Sequence, residues 1–404
     1  MKEENSLPKN WKLVKLGDAV QVLDNLRKPI NSKERQNRIA NKRQNELFPY
    51  YGATGQVGWI DSYLTNGEYI LVGEDGAPFL DNFKNKAYKV IGKTWVNNHA
   101  HILKKMENIS ENDFILHYLN SINYRQYVNG TTRLKLTKSS LVDIPFPLPP
   151  IRVQQLIVSK IEELFSELDK GIENLKTAQQ QLKTYRQAVL KWAFEGKLTN
   201  KNVKEGELPK GWKMVRVGDI CKCIVPNRDK PKTFSGNIKW VTTPNLNPFS
   251  IKLNYDDISL GLSEAEVKEY NARVIPIGGV IMTCVGTFGL SAIVERPLVI
   301  NQQLHAFISN ETVDAKFIAY CIQLNKNFFE NISTSTTIQY VNKEKCNSML
   351  IPICSIIEQQ IIVQEIEIRL SIADKMDESI NQSLLQAEAL RQSILKKAFE
   401  GKLV

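Results

Sequence analysis

Two stretches of this chain carry apolar residues at alternating steps of three and four, and the rest of the sequence divides around them. In the first stretch they are Ile161, Phe165, Leu168, Ile172, Leu175, Leu182, Tyr185, Val189 and Ala193, with Gln179 filling the one gap. In the second they are Ile366, Leu370, Ala373, Ile380, Leu384, Ala387, Leu390, Ile394 and Ala398, where Asp377 or its neighbour Met376 marks the weak step. A sustained 3.5-residue spacing predicts a helix with a narrow seam that needs a partner helix. Each stretch stops at a glycine, Gly196 or Gly401, which predicts a C-terminal cap. A helix of about 43 residues is roughly 65 Å long at 1.5 Å per residue.

Residues 7–148 and 208–353 read differently, being rich in β-branched, aromatic, Gly and turn residues. Runs such as Tyr69-Ile70-Leu71-Val72 and Val280-Ile281-Met282-Thr283 predict strands between Gly-containing turns. Phe114–Asn120 and Phe317–Leu324 predict a short helix in each region. Pro145, Pro147, Pro149 and Pro150 close the first region, and Pro352 stands near the end of the second.

The same order twice over reflects a tandem duplication. Leu7-Pro8-Lys9-Asn10-Trp11-Lys12-Leu13-Val14-Lys15-Leu16-Gly17-Asp18 returns as Leu208-Pro209-Lys210-Gly211-Trp212-Lys213-Met214-Val215-Arg216-Val217-Gly218-Asp219. The helix end Leu190-Lys191-Trp192-Ala193-Phe194-Glu195-Gly196-Lys197-Leu198 returns as Leu395-Lys396-Lys397-Ala398-Phe399-Glu400-Gly401-Lys402-Leu403, and Thr131-Thr132 returns as Thr336-Thr337. Such periodicity means that one structural unit is used twice. The first helix delivers the chain to the second globular region through a short linker, so seam-to-seam pairing requires the second helix to run back antiparallel. The predicted class is α+β: two mixed α/β domains joined by two long antiparallel coiled-coil helices, related by an internal pseudo-two-fold. The boundaries are residues 1–150, helix 151–198, linker 199–207, residues 208–355 and helix 356–404.

Composition narrows the function. Hydrophobic content of 42% and charged content of 24% are those of an ordinary globular protein. No apolar run approaches the roughly 18 residues of a membrane span, and Met1-Lys2-Glu3-Glu4-Asn5 lacks a signal-peptide core. A cytoplasmic location without a membrane partner is expected. The net charge of +10 fits a polyanion partner, though a solvated basic surface fits it as well. Cys221, Cys223, Cys284, Cys321, Cys346 and Cys354 include no C-x-x-C pair, so reduced packing residues are expected rather than a metal site.

Fragments that imitate catalytic motifs each lack an essential part. Gly92-Lys93-Thr94 resembles the end of a phosphate-binding loop, but Ala87 stands where its first glycine belongs. His99 and His101 stand two apart, on one face of a strand, with no Cys or carboxylate cluster in the sequence beside them, which favours hydrogen bonding over metal ligation. Asn247-Pro248-Phe249 lacks the second proline of the N-P-P-F loop of amino-methyltransferases. With only four histidines, acid–base chemistry has few candidates. The chain is expected to catalyse nothing alone and to hold no cofactor.

Basic clusters are more informative. Arg27, Lys28, Lys33, Arg35, Arg38, Lys42 and Arg43 crowd one segment against the single acid Glu34, and Arg228, Lys230, Lys232 and Lys239 recur at the same place in the second copy. Amide and turn residues surround them, the types that reach phosphates and base edges. Double-stranded DNA is the favoured partner. The other class left open is a coiled-coil scaffold whose two end domains bind protein partners.

These residues resemble the specificity subunit of type I restriction–modification systems. The resemblance covers essentially the whole chain and rests first on Leu148-Pro149-Pro150-x-x-x-Gln154-Gln155 and the twin Ala-Phe-Glu-Gly-Lys-Leu endings. Tyr50-Tyr51-Gly52-Ala53-Thr54-Gly55, Val72-Gly73-Glu74-Asp75-Gly76 and Trp95-Val96-Asn97-Asn98-His99-Ala100-His101 look like one subtype of that family's target recognition domain. Gly278-Gly279-Val280, Val285-Gly286-Thr287-Phe288-Gly289 and Asn301-Gln302-Gln303 look like another. Val153 replaces the usual acid before the glutamines, which Glu358 keeps, and Cys354-Ser355 replaces the Pro pair. The resemblance implies a non-catalytic subunit reading a bipartite, asymmetric DNA site, with the helices setting the spacer. It implies two modification subunits that methylate adenine N6 from S-adenosylmethionine, joined by restriction/translocase subunits. The residues expected at DNA are Lys28, Lys33, Arg35, Arg38, Lys42, Arg43, Asn97, Asn98, His99, Arg133 and Lys135 in the first copy. In the second they are Arg228, Lys230, Lys232, Thr287, Gln302, Gln303 and Gln339.

Overall fold

The computed structural model describes residues 7–200, 202–227, 230–333 and 339–404. It forms two compact units, residues 1–177 with 380–404 and residues 178–379. These units are not the tandem copies. Each joins one globular region to part of both long helices, which run Ile151–Phe194 and Ile356–Phe399. The antiparallel pairing causes this, because it brings the end of one helix against the domain that launches the other.

In the first unit, Lys12–Lys15 pairs antiparallel with Pro145–Leu148. That small ladder ties the entry of the domain to its exit, and Ile151 starts the helix soon after. The main sheet has six strands in the order Val20–Val22, Ala100–Lys105, Thr65–Gly73, Ala87–Val96, Phe48–Gly52 and Gly55–Ile60. The helix Asn112–Ser121 covers it, and Phe114, Leu119, Ile70, Val72 and Leu103 are wholly buried between them. The end of the second long helix docks here, where Phe399 meets Phe114 and Tyr118 edge-on.

The second unit repeats the frame and changes the filling. Lys213–Arg216 pairs with Leu350–Ile353 as its counterpart does. The sheet, however, is split into two of four strands: Cys221–Ile224, Leu304–Ser309, Val280–Thr283, Ser291–Ile293, and Gly261–Leu262, Ile238–Val241, Leu298–Ile300, Val274–Ile275. The predicted short helix is Ala315–Leu324. All six cysteines are free and buried.

Both helix starts are pinned by the same residue type. Gln154 is fully buried; its Oε1 accepts from the amide of Glu111, and its Nε2 donates to the carbonyls of Ile109 and Pro149. Gln359 repeats this with Asp314, Thr312 and Cys354. Departures from the family pattern are accommodated locally. Ser355 accepts the amide of Glu358, and the Glu358 carboxylate receives Trp212, Thr199 and Asn200. Val153 instead packs in an apolar cluster with Trp11 and Leu403.

Both helix ends close alike. Gly196 (φ +75°) donates to Ala193 and Lys197 to Trp192; Gly401 (φ +69°) donates to Ala398 and Lys402 to Lys397. This is the paired hydrogen-bond pattern of a glycine-terminated helix.

The predicted seam residues Ile161, Phe165, Leu168, Ile172, Leu175, Leu182, Ile366, Leu370, Ile380, Leu384 and Ile394 are buried or half-buried. Leu390 departs from the expected seam and is 51% exposed. The steps from Ala387 to Ile394 place Arg391 at the seam, where its guanidinium lies 4.4 Å from the Phe165 ring and pairs with Asp169. The two weak positions of the stripes meet each other, Gln179 donating to Asp377 at 3.2 Å. One polar pair within an apolar seam favours a single register.

Candidate nucleic-acid interface

In the first unit, four segments converge on an edge formed by strand ends, where the central strands Thr65–Gly73 and Ala87–Val96 of the six-stranded sheet finish and Ala100–Lys105 begins. Lys28 donates its amide to Val96 and accepts from the Trp95 indole, so the basic segment starts beside the Asn97–His99 turn. Glu74 donates its amide to His99, Gly76 donates to Leu134, and Leu136 donates to Glu74. The edge therefore collects Lys28, Asn97, Asn98, His99, Arg133 and Lys135 from separate places in the sequence. A cleft of about 380 Å³ beside it is lined by Asn31, Arg35, Tyr50, Asn97, Asn98 and His99.

A half-buried charge network supports this edge. Arg27 pairs with Glu74 and with Asp24 (3.1 Å), and Lys135 pairs with Glu74 at 3.1 Å. His101 is 1% exposed, and both its ring nitrogens face acceptors: the Asp24 carboxylate at 2.7 Å and the Leu136 carbonyl at 2.9 Å. Burial pushes the Asp24 carboxyl up, but His101, the Ile102 amide and Arg27 outweigh it and hold it below its ordinary range. Glu74 is likewise pushed up by burial and held low overall by Arg27 and Lys135. Further out, Asp75 accepts from His99 Nδ1 at 2.6 Å and from Arg133 at 2.8 Å.

The expected residues separate by role. Lys28, Lys33, Lys42, Arg43, Asn98, Arg133 and Lys135 are exposed or keep exposed side chains. Asn97 is buried, and its side-chain oxygen accepts the His99 amide, so it shapes the turn. Arg35 stacks over Tyr50 at 4.7 Å. Arg38 is held by Asp61 (2.8 Å), Ser62 and the Trp95 ring, an anchor for its own helix Ser32–Ile39. His99 and His101 do not share a strand face, because His99 lies in the turn before Ala100–Lys105. No three-residue cluster of metal-ligating side chains exists among the described residues.

The second unit has the same edge with other contents. Gly286 donates to Gln339 and Val341 to Cys284, the counterparts of the Gly76 and Leu136 bonds. Val285 thus stands where Asp75 does, and Tyr340 where Lys135 does. His305, the counterpart of His101, is buried against Cys346 (3.4 Å) and the Tyr340 ring. Desolvation, aided by Lys343, pushes its imidazole down to about 4. Gln302 donates to the carbonyl of Asn227, and Gln303 accepts from Asn301 and Thr243. Gln303 and Gln339 are exposed, as are Lys230 and Lys232. Thr287 lines a cavity of about 290 Å³ together with Lys183, Arg186 and Phe249. Arg228 and the Thr336-Thr337 repeat lie outside the described residues.

Sequence reading missed the carboxylates. Glu74 and Asp75 sit inside the Val72–Gly76 motif, yet only the fold shows which cations they hold. In the second unit Asn301 sits inside the Asn301–Gln303 motif and Thr243 far from it in sequence, and only the fold shows that both donate to Gln303.

Against known proteins, the family model for the type I restriction modification DNA specificity domain matches residues 8–178 and 209–386. The chain belongs to that family. The two matches coincide with the tandem copies, and each takes in one target recognition domain. The chain is 22% identical to the EcoDI specificity subunit of Escherichia coli, over 98% of this chain and 89% of that one. It is 22% identical to the MjaVIII specificity subunit of Methanocaldococcus jannaschii, over 100% of this chain and 96% of the relative. A putative type I restriction enzyme specificity subunit of Haemophilus influenzae is 35% identical over 154 residues, which span 37% of that relative. In fold, the chain is similar to the HsdS subunit of Thermoanaerobacter tengcongensis, with TM-score 0.59, 18% identity and all of both chains covered. It is also similar to a chain solved in work on complex assembly and conformational transition of the type I R-M system, with TM-score 0.73, 18% identity, and 98% and 99% of the two chains covered. No helix among the described residues is long and apolar enough to cross a membrane.

Proposed function

We propose that this specificity subunit reads a bipartite, asymmetric DNA site, one half with each target recognition domain, while the long helices set the spacer and recruit two modification subunits. The observation that carries the reading is the duplicated edge. One backbone ladder recurs in both domains, dressed with Asp75, Leu134 and Lys135 in the first and with Val285, Gln339 and Tyr340 in the second. Identical frames with different exposed side chains present different donors and acceptors to base edges, so the two half-sites differ. Lys28, Lys33, Arg35, Lys42 and Arg43 hold phosphates in this reading, as do Arg228, Lys230 and Lys232 in the second domain. Arg38 anchors its helix instead.

Protein partners have a surface too. In the second unit Ile357, Ile361, Ile368, Ile372 and Met376 are 47–68% exposed along one helix. An apolar row of this kind on a water-facing helix marks a docking surface. The modification subunits seated there would carry S-adenosylmethionine and methylate adenine; this chain contributes recognition and no bond-making step. Restriction/translocase subunits would join the same assembly, in the cytoplasm.

Binding of the full chain with its modification subunit to duplex DNA across a salt series tests the reading. Alanine at Lys28, Lys33, Arg35, Lys42 and Arg43 together should weaken binding on every sequence. It should also flatten the slope of log K against log salt by about one for each phosphate no longer held. An unchanged slope would overturn the phosphate assignment, and absence of any duplex binding would leave the scaffold reading.

A further inference from the structure

Asp75 makes a junction that the shared frame does not need. Its Oδ1 accepts from His99 Nδ1 at 2.6 Å and from Arg133 Nη2 at 2.8 Å. The carboxylate side chain is 22% exposed, while those of His99 and Arg133 are 38% and 61% exposed. Gly76, at φ +72°, leaves room for this, since a Cβ there would stand 3.3 Å from the Arg133 guanidinium. In the second domain the same ladder forms with Val285 in place of the carboxylate. The backbone therefore holds without Asp75, and its function is local to the first reader.

An ionised carboxylate only accepts, so the proton on His99 sits on Nδ1, and in the neutral ring Nε2 is left as an acceptor. That nitrogen belongs to the side of the ring away from Asp75 and has no protein partner among the described residues. Arg133, held by one nitrogen, keeps its other N–H groups for a second acceptor. We propose that Asp75 is a positioning residue that sets base specificity in the first half-site. It fixes the His99 tautomer so that Nε2 accepts from the exocyclic amino group of a base, adenine N6 or cytosine N4. It also aims Arg133 at the O6 and N7 acceptors of a neighbouring guanine. This rests on the DNA-reading function proposed above.

The test is the methylation motif itself, read by sequencing DNA from cells expressing the full chain with its modification subunits. Asp75→Asn offers an amide that can donate to Nδ1, which shifts the His99 proton to Nε2 and turns the acceptor into a donor. The expected result is a change at one position of one half-site, with the preference for an amino-bearing base there falling about tenfold or more. The other half-site and the spacer should stay as they are. His99→Ala should relax the same position, and Arg133→Ala a neighbouring guanine. These two side chains are exposed enough that folding does not depend on them, so they carry the test should Asp75→Asn fail to fold. A weakened fold would depress methylation at every position alike, and that pattern, or an unchanged motif in both His99→Ala and Asp75→Asn, overturns the proposal. A wild-type complex that methylates no bipartite motif overturns the DNA-reading function itself, and this inference with it.

Discussion

Two histidines at one place in the duplicated frame show how far a single position can diverge. His101 lies among Asp24, Glu74 and the Leu136 carbonyl, whereas His305 faces Cys346 and the Tyr340 ring. The imidazole of His305 is pushed down to about 4, so the folded chain refuses a proton that the unfolded chain accepts near its ordinary 6.5. A depressed folded value means stability is intact at neutral pH and is lost as pH falls from about 6.5 towards 4. His117, desolvated to about 4, acts in the same direction. Asp24 and Glu74, both held low, add a loss confined to more acidic pH, below the ordinary carboxylate range. His305→Leu should remove its share of the first loss, about 2 kcal/mol at most between pH 7 and 5. Denaturant titrations at the two pH values check this; an equal drop in the variant and the parent would refute it.

At the scale of elements, the two long helices are the most legible part of the sequence. The 3.5-residue stripe and the terminal glycines are local signals, but the helices end at Phe194 and Phe399, short of the expected limits at 198 and 404, because the glycine caps already turn the chain at Gly196 and Gly401. The caps are also tight. A Cβ on Gly196 would stand 2.2 Å from Pro209 Cγ, and one on Gly401 would stand 2.2 Å from Pro8 Cγ. Gly196→Ala and Gly401→Ala should each lower stability by about 1 kcal/mol from the left-handed backbone, with more from the proline contact. Chemical denaturation reads this, and a change under about 0.5 kcal/mol at either site would show that the caps relax freely. The candidate site was less legible. Basic residues announce themselves by charge, but Arg38 is spent on Asp61 and Trp95, partners distant in sequence, which no local pattern reveals. Leu390 misled because it is apolar and only one residue off the seam, where Arg391 covers Phe165 with its guanidinium plane. The splitting of the second sheet into two was equally hidden, because such short strand runs do not declare their neighbours.

For the whole molecule, the two helices have equal lengths of 44 residues, and each compact unit contains parts of both. A change in one helix therefore has to be answered in the other. The polar pair Gln179–Asp377 sharpens this constraint, because a shift of either helix by one heptad leaves two polar side chains facing apolar residues. A one-heptad insertion into the first helix alone should lower the melting temperature and abolish site-specific methylation. The same insertion placed in both helices, flanking Gln179 and Asp377 so that these still meet, should restore the seam. Each helix is then longer by about 10 Å at 1.5 Å per residue, which is about three base pairs of duplex at 3.4 Å each. Under the proposed function, the methylated motif should keep both half-sites and widen its unread spacer by about three base pairs. A restored melting temperature with an unchanged spacer would separate the two claims: the helices would still be a matched pair, but they would not be the ruler.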